Sequence, residues 1–175
     1  MKIYRNYFLL LVFTITTTCC HAQEKIVVQY FLHTTCPISQ KYSYVINQIA
    51  EKYSTKPIHF ELVFLNIKNN QEKSAVVSFI KKYQLKPPYK IEPNTNSANE
   101  LGVKVTPEVV VLKGSEKMYQ GAIDDWYVSW GKNKKTANQH YLIDAIDALL
   151  LSQPVKLKKT NAIGCLIETT IDKIN

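Results

Sequence analysis

The feature that most constrains the fold is an apolar run that is followed by one cysteine, one proline and a helical pattern. Residues 25–32, KIVVQYFL, are almost continuously apolar, which is typical of a strand buried on both faces of a mainly parallel sheet. Residues 37–52 place apolar side chains at helical spacing between polar ones. The stretch therefore predicts a central strand, a tight turn and an amphipathic helix, which together form the first half of a βαβ unit.

The pattern farther along the chain predicts that one α/β domain continues to the last long helix. In chain order we expect a strand at 58–67, a helix at 72–85, a short helix at 98–101, a hairpin with its turn at 113–115, a loop or partial helix at 124–138 and a helix at 138–151. A chain of 175 residues can bury one substantial core, which favours a single domain.

The first 22 residues have the plan of a secretory signal peptide. Lys2 and Arg5 precede an apolar segment at 7–15, which ends in small and polar residues. This segment is shorter than the roughly 20 apolar residues that a membrane-spanning helix needs. We therefore expect cleavage after Ala22 and export to the periplasm or the extracellular space.

The site of cleavage decides how many cysteines the exported chain keeps. Cleavage after residue 22 leaves only Cys36 and Cys165, and two cysteines in an oxidising compartment can form a disulfide. The alternative is a lipoprotein that is acylated at Cys19 or Cys20, although the preceding threonines lack the usual leucine, and contact with a membrane is expected only in that case. The mature chain is interpreted as one domain, residues 23–152, with a C-terminal tail, residues 153–175, that carries Cys165.

The mature chain is basic but lacks the pattern of a nucleic-acid-binding protein. Removal of Lys2 and Arg5 lowers the formal charge from +8 to +6, because 20 lysines then face 14 acidic residues. The densest lysines, within 132–135 and 156–159, have neither arginine nor an aromatic pattern beside them. A solvated basic face is expected, with no nucleic-acid partner, and the mature chain contains no arginine at all.

Cys36 is expected at the start of the predicted helix, where its thiol would be activated. Pro37 suits the first helical position, since its missing N–H is no loss there. The thiol would face unpaired backbone N–H groups and the positive end of the helix dipole, which can lower a cysteine pKa from ~8.5 to between ~3.5 and ~7.5. His33, Thr34 and Thr35 could add a donor or steer access, His33 as a cation only when protonated. The alternative is an unreactive cysteine that packs as a small apolar side chain.

Five segments in this order resemble the thioredoxin-fold superfamily, in particular its peroxiredoxin-like redoxin branch: FLHTTCPISQKY at 31–42, then GVKVTPEVVVL, YQGAIDDW, HYLIDAIDALL and IGCLI. The resemblance spans roughly residues 25–167. It implies a thioredoxin-like α/β fold with a central mixed sheet flanked by helices, and no cofactor. It also implies a cis peptide bond between Thr106 and Pro107, in a loop that lies beside the active cysteine and shapes a substrate groove. An ordinary trans proline that opens a strand is the alternative.

Ser39 is the main departure from the dithiol members of this superfamily. Those proteins carry C-x-x-C, whereas this chain reads Cys36-Pro37-Ile38-Ser39, and a hydroxyl group cannot resolve a mixed disulfide. Peroxiredoxins carry a proline and a threonine at the positions of Gln29 and His33, and an arginine that polarises the peroxide. Both departures disfavour a peroxidase of the usual construction.

Cys165 lies in the segment IGCLI, where similar redoxins also carry a cysteine. The 13 steps from Ser152 can span roughly 43 Å when extended, which exceeds the radius of gyration of about 15 Å expected for such a domain. Cys165 could therefore reach Cys36, and Gly164 would let the two backbones approach closely. Three interpretations stay open: a pair that works in catalysis, a permanent structural disulfide, and two unrelated thiols.

The leading functional hypothesis is an exported thiol-disulfide oxidoreductase in which the Cys36 thiolate attacks and Cys165 resolves. Its partners would be a protein disulfide and an envelope electron donor of unknown identity. A thiol peroxidase, with a peroxide as substrate, is one alternative. A non-catalytic thioredoxin-fold binding module in an envelope redox system is another. No metal site is expected, because His59 and His140 have no clustered cysteine or carboxylate partner.

Overall fold

The structure is a computed structural model that describes residues 24–168. The predicted signal peptide, residues 1–22 with Cys19 and Cys20, lies outside the described residues, as do residues 169–175. The elements are β1 (Ile26–Leu32), α1 (Pro37–Lys52), β2 (Ile58–Phe64), α2 (Asn70–Tyr83), β3 (Tyr89–Ile91), α3 (Asn96–Leu101), β4 (Val105–Thr106), β5 (Glu108–Lys113), β6 (Glu116–Gly121), β7 (Tyr127–Ser129), β8 (Lys132–Asn133), α4 (Tyr141–Leu150) and β9 (Cys165–Leu166). Within these residues, no helix combines the length and apolar character needed to cross a membrane.

The main sheet has five strands in the order β3-β2-β1-β5-β6, with β1 at the centre as predicted. Strands β1, β2 and β3 are parallel, whereas β5 and β6 run antiparallel to their neighbours. The connections from β1 to β2 and from β2 to β3 both move toward the same edge of the sheet. Because such connections between parallel strands are right-handed, α1 and α2 lie on the same face of the sheet. This arrangement confirms the α/β fold with a central mixed sheet.

Two hydrophobic clusters fix the sheet between its helices. The larger cluster joins one face of β1, β2 and β5 to α1, α2 and α4, and includes the fully buried Leu32, Ile46 and Ile146. The smaller cluster covers the opposite face, where Phe31 and Val110 pack with residues of and after α3. Because β1 is buried on both faces, its C-terminal end and the following turn into α1 are held in place from both sides.

The segment at 124–138 contains a short β7–β8 hairpin where the sequence predicted a loop or partial helix. Asp124 starts it by accepting hydrogen bonds from the Tyr42 hydroxyl at 2.5 Å and from the Trp126 N–H at 2.9 Å. Asp125 accepts the N–H groups of residues 138 and 139 and pairs with Lys134. These contacts lower the pKa of Asp125 to about 2, and the hydrogen bond from the residue 139 N–H has the largest effect.

The C-terminal tail is anchored on the outer edge of β6 before it reaches the cysteine. Thr160 and Lys158 exchange backbone hydrogen bonds with Gln120, both at 3.0 Å. The Thr160 hydroxyl also accepts the Ala122 N–H at 2.9 Å. Gly121 lies so close to Thr160 that an added Cβ would overlap it, and its φ of 143° also favours glycine. We call residues 158–160 the tail anchor and residues 161–168 the tail strand.

Candidate functional site

Cys36 occupies the N-cap of α1, as the sequence predicted. Its backbone is extended, with φ −73° and ψ 116°, and Pro37 follows at the first helical position. The Cys36 carbonyl accepts the first intrahelical hydrogen bond, from Gln40 N–H at 3.1 Å, whereas its side chain makes no capping hydrogen bond. The sulfur therefore lies at the end of the helix where the dipole favours negative charge and is not used as a helix cap.

A disulfide joins Cys36 to Cys165 across 129 residues of sequence. The Cα atoms are 6.0 Å apart, within the normal range for such a bond. The structure thus excludes the interpretation of two unrelated thiols. The two cysteines differ in exposure, since Cys36 is 1% exposed and Cys165 is partly exposed.

The peptide bond between Thr106 and Pro107 is cis, which confirms the expectation from the family resemblance. The Thr106 carbonyl oxygen lies 3.0 Å from Cys36 Sγ, and Thr106 also pairs with Cys165 across β4 and β9. In the reduced protein, a Cys36 thiol could donate a weak hydrogen bond to this carbonyl. The cis-proline loop and the cysteine pair therefore form one site.

Glu108 follows the cis-proline directly, and its buried side chain stabilises this loop through hydrogen bonds. Its buried carboxylate accepts the Lys104 N–H at 3.0 Å and the Gln120 side-chain amide at 2.8 Å. The sequence interpretation missed both Glu108 and Gln120. A charged residue at the head of the apolar run EVVVL was the available signal, because a buried carboxylate needs hydrogen-bond partners.

Ser39 is fully buried at the position where a dithiol enzyme has its second cysteine. Its hydroxyl accepts the His33 N–H at 3.4 Å, and its carbonyl accepts the Ser43 hydroxyl at 3.1 Å. The hydrogen bond from His33 connects the residue after β1 to the first turn of α1, whereas that from Ser43 lies within the helix. Ser39 therefore supports the turn that carries Cys36.

His33 and Thr35 lie together at the rim of the site, with His33 Nδ1 and Thr35 Oγ1 2.9 Å apart. Burial lowers the pKa of His33 below its usual value, although Glu72 and Glu168 act in the opposite direction. The imidazole is consequently neutral at neutral pH.

A cleft of about 300 Å³ opens beside the disulfide. Its walls include His33, Thr35, Thr106 and Cys165, so it brings together four of the eight residues that the sequence placed in the site. In residues 24–168, no group of three histidine, cysteine, aspartate or glutamate side chains is arranged to hold a metal ion.

A mixed sheet with this strand order, a helix that starts at a cysteine and a cis-proline beside that cysteine define a thioredoxin-fold protein. The model of the family described as thioredoxin-like matches residues 23–118, more than half of the chain. The chain belongs to the thioredoxin-like family.

Solved structures support the same fold. A hypothetical protein from Sinorhizobium meliloti is similar with 21% identity and a TM-score of 0.73, over 85% of this chain and 81% of that one. An uncharacterized conserved protein from Geobacillus kaustophilus has the same identity and TM-score over 83% and 78%. A secreted Mycobacterium tuberculosis disulfide oxidoreductase, homologous to E. coli DsbE, is 19% identical over 72% and 83%, with a TM-score of 0.51. No curated protein sequence matches significantly.

Proposed function

We propose that this protein is an exported thiol-disulfide oxidoreductase in which Cys36 attacks a substrate disulfide and Cys165 resolves the product. The observation that carries the proposal is the Cys36–Cys165 bond at the N-terminus of α1, directly against the cis-proline loop. A cysteine at a helix N-terminus is a favoured nucleophile, because the dipole stabilises its thiolate. Cys165 supplies the second sulfur that Ser39 cannot.

The reaction balances as an exchange of two electrons. The Cys36 thiolate attacks one sulfur of the substrate disulfide, forming a mixed disulfide, while the substrate S–S bond breaks and its other sulfur leaves as a thiolate. The Cys165 thiolate then attacks Cys36 Sγ, forming the intramolecular disulfide and releasing the first substrate sulfur. The departing thiolates take up protons from water, and a thiol donor must later reduce the protein again.

Export is part of the proposal. The signal-peptide pattern of residues 1–22 supports it, and an intramolecular disulfide suits an oxidising compartment. One of the proteins with the same fold is itself described as secreted. Identification of the N-terminal peptide of the exported protein distinguishes the two kinds of processing. A start at Gln23 supports simple cleavage, whereas a lipid on Cys19 or Cys20 supports membrane attachment.

Reduced protein is expected to react rapidly with a protein disulfide and slowly with hydrogen peroxide. The disulfide substrate should consume the thiols of Cys36 and Cys165 together and leave them joined, as non-reducing peptide mapping can show. The peroxidase alternative lacks the threonine and arginine of peroxiredoxins, since His33 stands at the threonine position and residues 23–175 contain no arginine. Thiol loss with peroxide should therefore match that of a free model thiol. A sulfenic acid formed faster than this would favour the peroxidase, and no reaction with either oxidant would favour a binding module.

Reduction of the protein is expected to begin at Cys165. Cys165 is the more exposed of the two cysteines and lines the cleft, and attack on its sulfur expels Cys36, whose thiolate the helix N-terminus stabilises as a leaving group. A limiting amount of a monothiol should therefore form its mixed disulfide on Cys165, which acid quenching and peptide mapping can locate. The unfolded oxidised protein is the control, because it should give adducts on both cysteines. An excess of adduct on Cys36 in the folded protein would contradict this order.

A further inference from the structure

The tail strand occupies a backbone edge that is otherwise open in the described part of the chain. Strand β4 pairs only with β9 there, antiparallel, with Val105 opposite Leu166 and Thr106 opposite Cys165. The Ile167 N–H extends this pairing to the Lys104 carbonyl at 2.9 Å. A cysteine-bearing extended segment of the chain itself therefore lies antiparallel on the cis-proline loop.

The tail anchor and the tail strand are held by very different contacts. The anchor has backbone hydrogen bonds on both sides of Gln120, and none of these depends on the disulfide. The tail strand has the two-residue β9 with the adjoining Ile167 hydrogen bond, a surface hydrogen bond from Asn66 to the Glu168 carbonyl at 3.1 Å, the partial burial of Ile163 and Ile167, and the Cys165 sulfur bond. A two-residue strand is marginal without other support. Breaking the disulfide should therefore release the tail strand beyond Thr160 and expose β4 together with Cys36.

Gly164 shows what the β4 edge demands of a strand that occupies it. An added Cβ at Gly164 would overlap the backbone carbonyl of Thr106. Backbone atoms cannot move aside, unlike the end of a flexible side chain. In contrast, the Leu166 side chain is 82% exposed. Ile163 and Ile167 are partly buried, one against each hydrophobic cluster.

We propose that the tail strand is a built-in copy of the substrate segment, and that the vacated β4 edge selects extended segments with glycine directly before the reactive cysteine. The proposal rests on the thiol-disulfide exchange proposed above. A substrate in the same antiparallel register brings its cysteine to Cys36 and its preceding residue to the Thr106 carbonyl. Main-chain pairing then provides affinity and side-chain contacts provide selectivity, as in other cases of strand addition. The expected pattern is apolar, glycine, cysteine, any residue, apolar.

The test compares peptides on the full-length protein with the substitution Cys165→Ser, after reduction. The peptide Ile-Gly-Cys-Leu-Ile carries thionitrobenzoate on its cysteine as a mixed disulfide. Attack of Cys36 on the peptide sulfur forms a new S–S bond and releases coloured thionitrobenzoate. Replacing the glycine with alanine should slow this release by about tenfold or more, because the added methyl group meets fixed backbone atoms. Replacing the leucine with alanine is the matched control and should change the rate less than about twofold, since its counterpart Leu166 is exposed.

Two further results separate failure of this proposal from failure of the proposed function. The disulfide of thionitrobenzoate without any peptide reports on Cys36 alone, and its failure to react would overturn thiol-disulfide exchange itself. If it reacts while the glycine and alanine peptides react equally, the selection by β4 is overturned and the exchange stands.

Hydrogen exchange of the wild-type protein should show residues 161–168 losing protection on reduction while residues 158–160 keep it. A tail strand that stays protected after reduction would also overturn the proposal.

Discussion

Cys36→Ser is expected to abolish reduction of a protein disulfide, whereas Cys165→Ser is expected to stop turnover with the substrate still bound to Cys36. Loss of the attacking sulfur should lower the rate at least about a thousandfold, as removal of a nucleophile does in other enzymes. Without Cys165, attack proceeds, but Ser39 is buried and its hydroxyl cannot accept the sulfur bond. Intact mass measured without reductant should show a stable adduct for Cys165→Ser and none for Cys36→Ser.

The two variants control for each other, because each removes the same disulfide and the same contribution to stability. A difference between them must therefore come from the roles of the two sulfurs. Turnover by Cys165→Ser near the wild-type rate would contradict a resolving role for Cys165. An adduct on Cys165 in the Cys36→Ser protein would reverse the assigned order of attack.

Reduction of the Cys36–Cys165 bond is expected to lower the free energy of unfolding by roughly 2 to 4 kcal/mol. The bond closes a loop of 129 residues, for which loop entropy alone predicts about 5 kcal/mol. The effect should be smaller, because the reduced folded protein regains the freedom of the tail strand while the tail anchor and the buried Val155 stay in place. Urea unfolding with and without reductant measures the difference.

The double variant Cys36→Ser/Cys165→Ser is the control for this measurement. It should match the reduced wild type and respond to reductant no further. Loss of cooperative unfolding in the reduced protein would identify the bond as a permanent structural disulfide, and so would weigh against a redox cycle. A cooperative, moderately destabilised reduced form is what an enzyme that alternates between two redox states requires.

The elements with strong periodicity could be predicted from the sequence, and those that depend on distant partners could not. The apolar run of β1 and the helical spacing of α1 gave correct positions, because each pattern is local. Strand β3 was missed, since YKI follows two prolines and is a strand only through its pairing with β2. The two-residue strands β4 and β9 have no period to detect. Helix α2 starts before the expected residue 72, and the Asn69–Glu72 capping box would have shown this.

The features of the site also fall into those that local sequence predicts and those that depend on distant segments. The position of Cys36 at the helix start follows from the adjacent Pro37, and the cis bond before Pro107 was implied by the family resemblance. The sequence left the role of Cys165 open among three interpretations, because a flexible tail can reach many points of the surface. The burial of Cys36 and the contact of Gly164 with Thr106 arise between segments far apart in the chain, so no local pattern announces them.

The tail anchor has a consequence for the kinetics of the second step. Thr160 is fixed on the sheet, and only four residues lie between it and Cys165. A group on so short a tether has an effective concentration on the order of millimolar near its target, however dilute the protein is. Small thiols in solution would have to approach that level before they could compete for a bound substrate. The lifetime of the covalent intermediate is therefore an internal property of one molecule and should be unaffected by dilution.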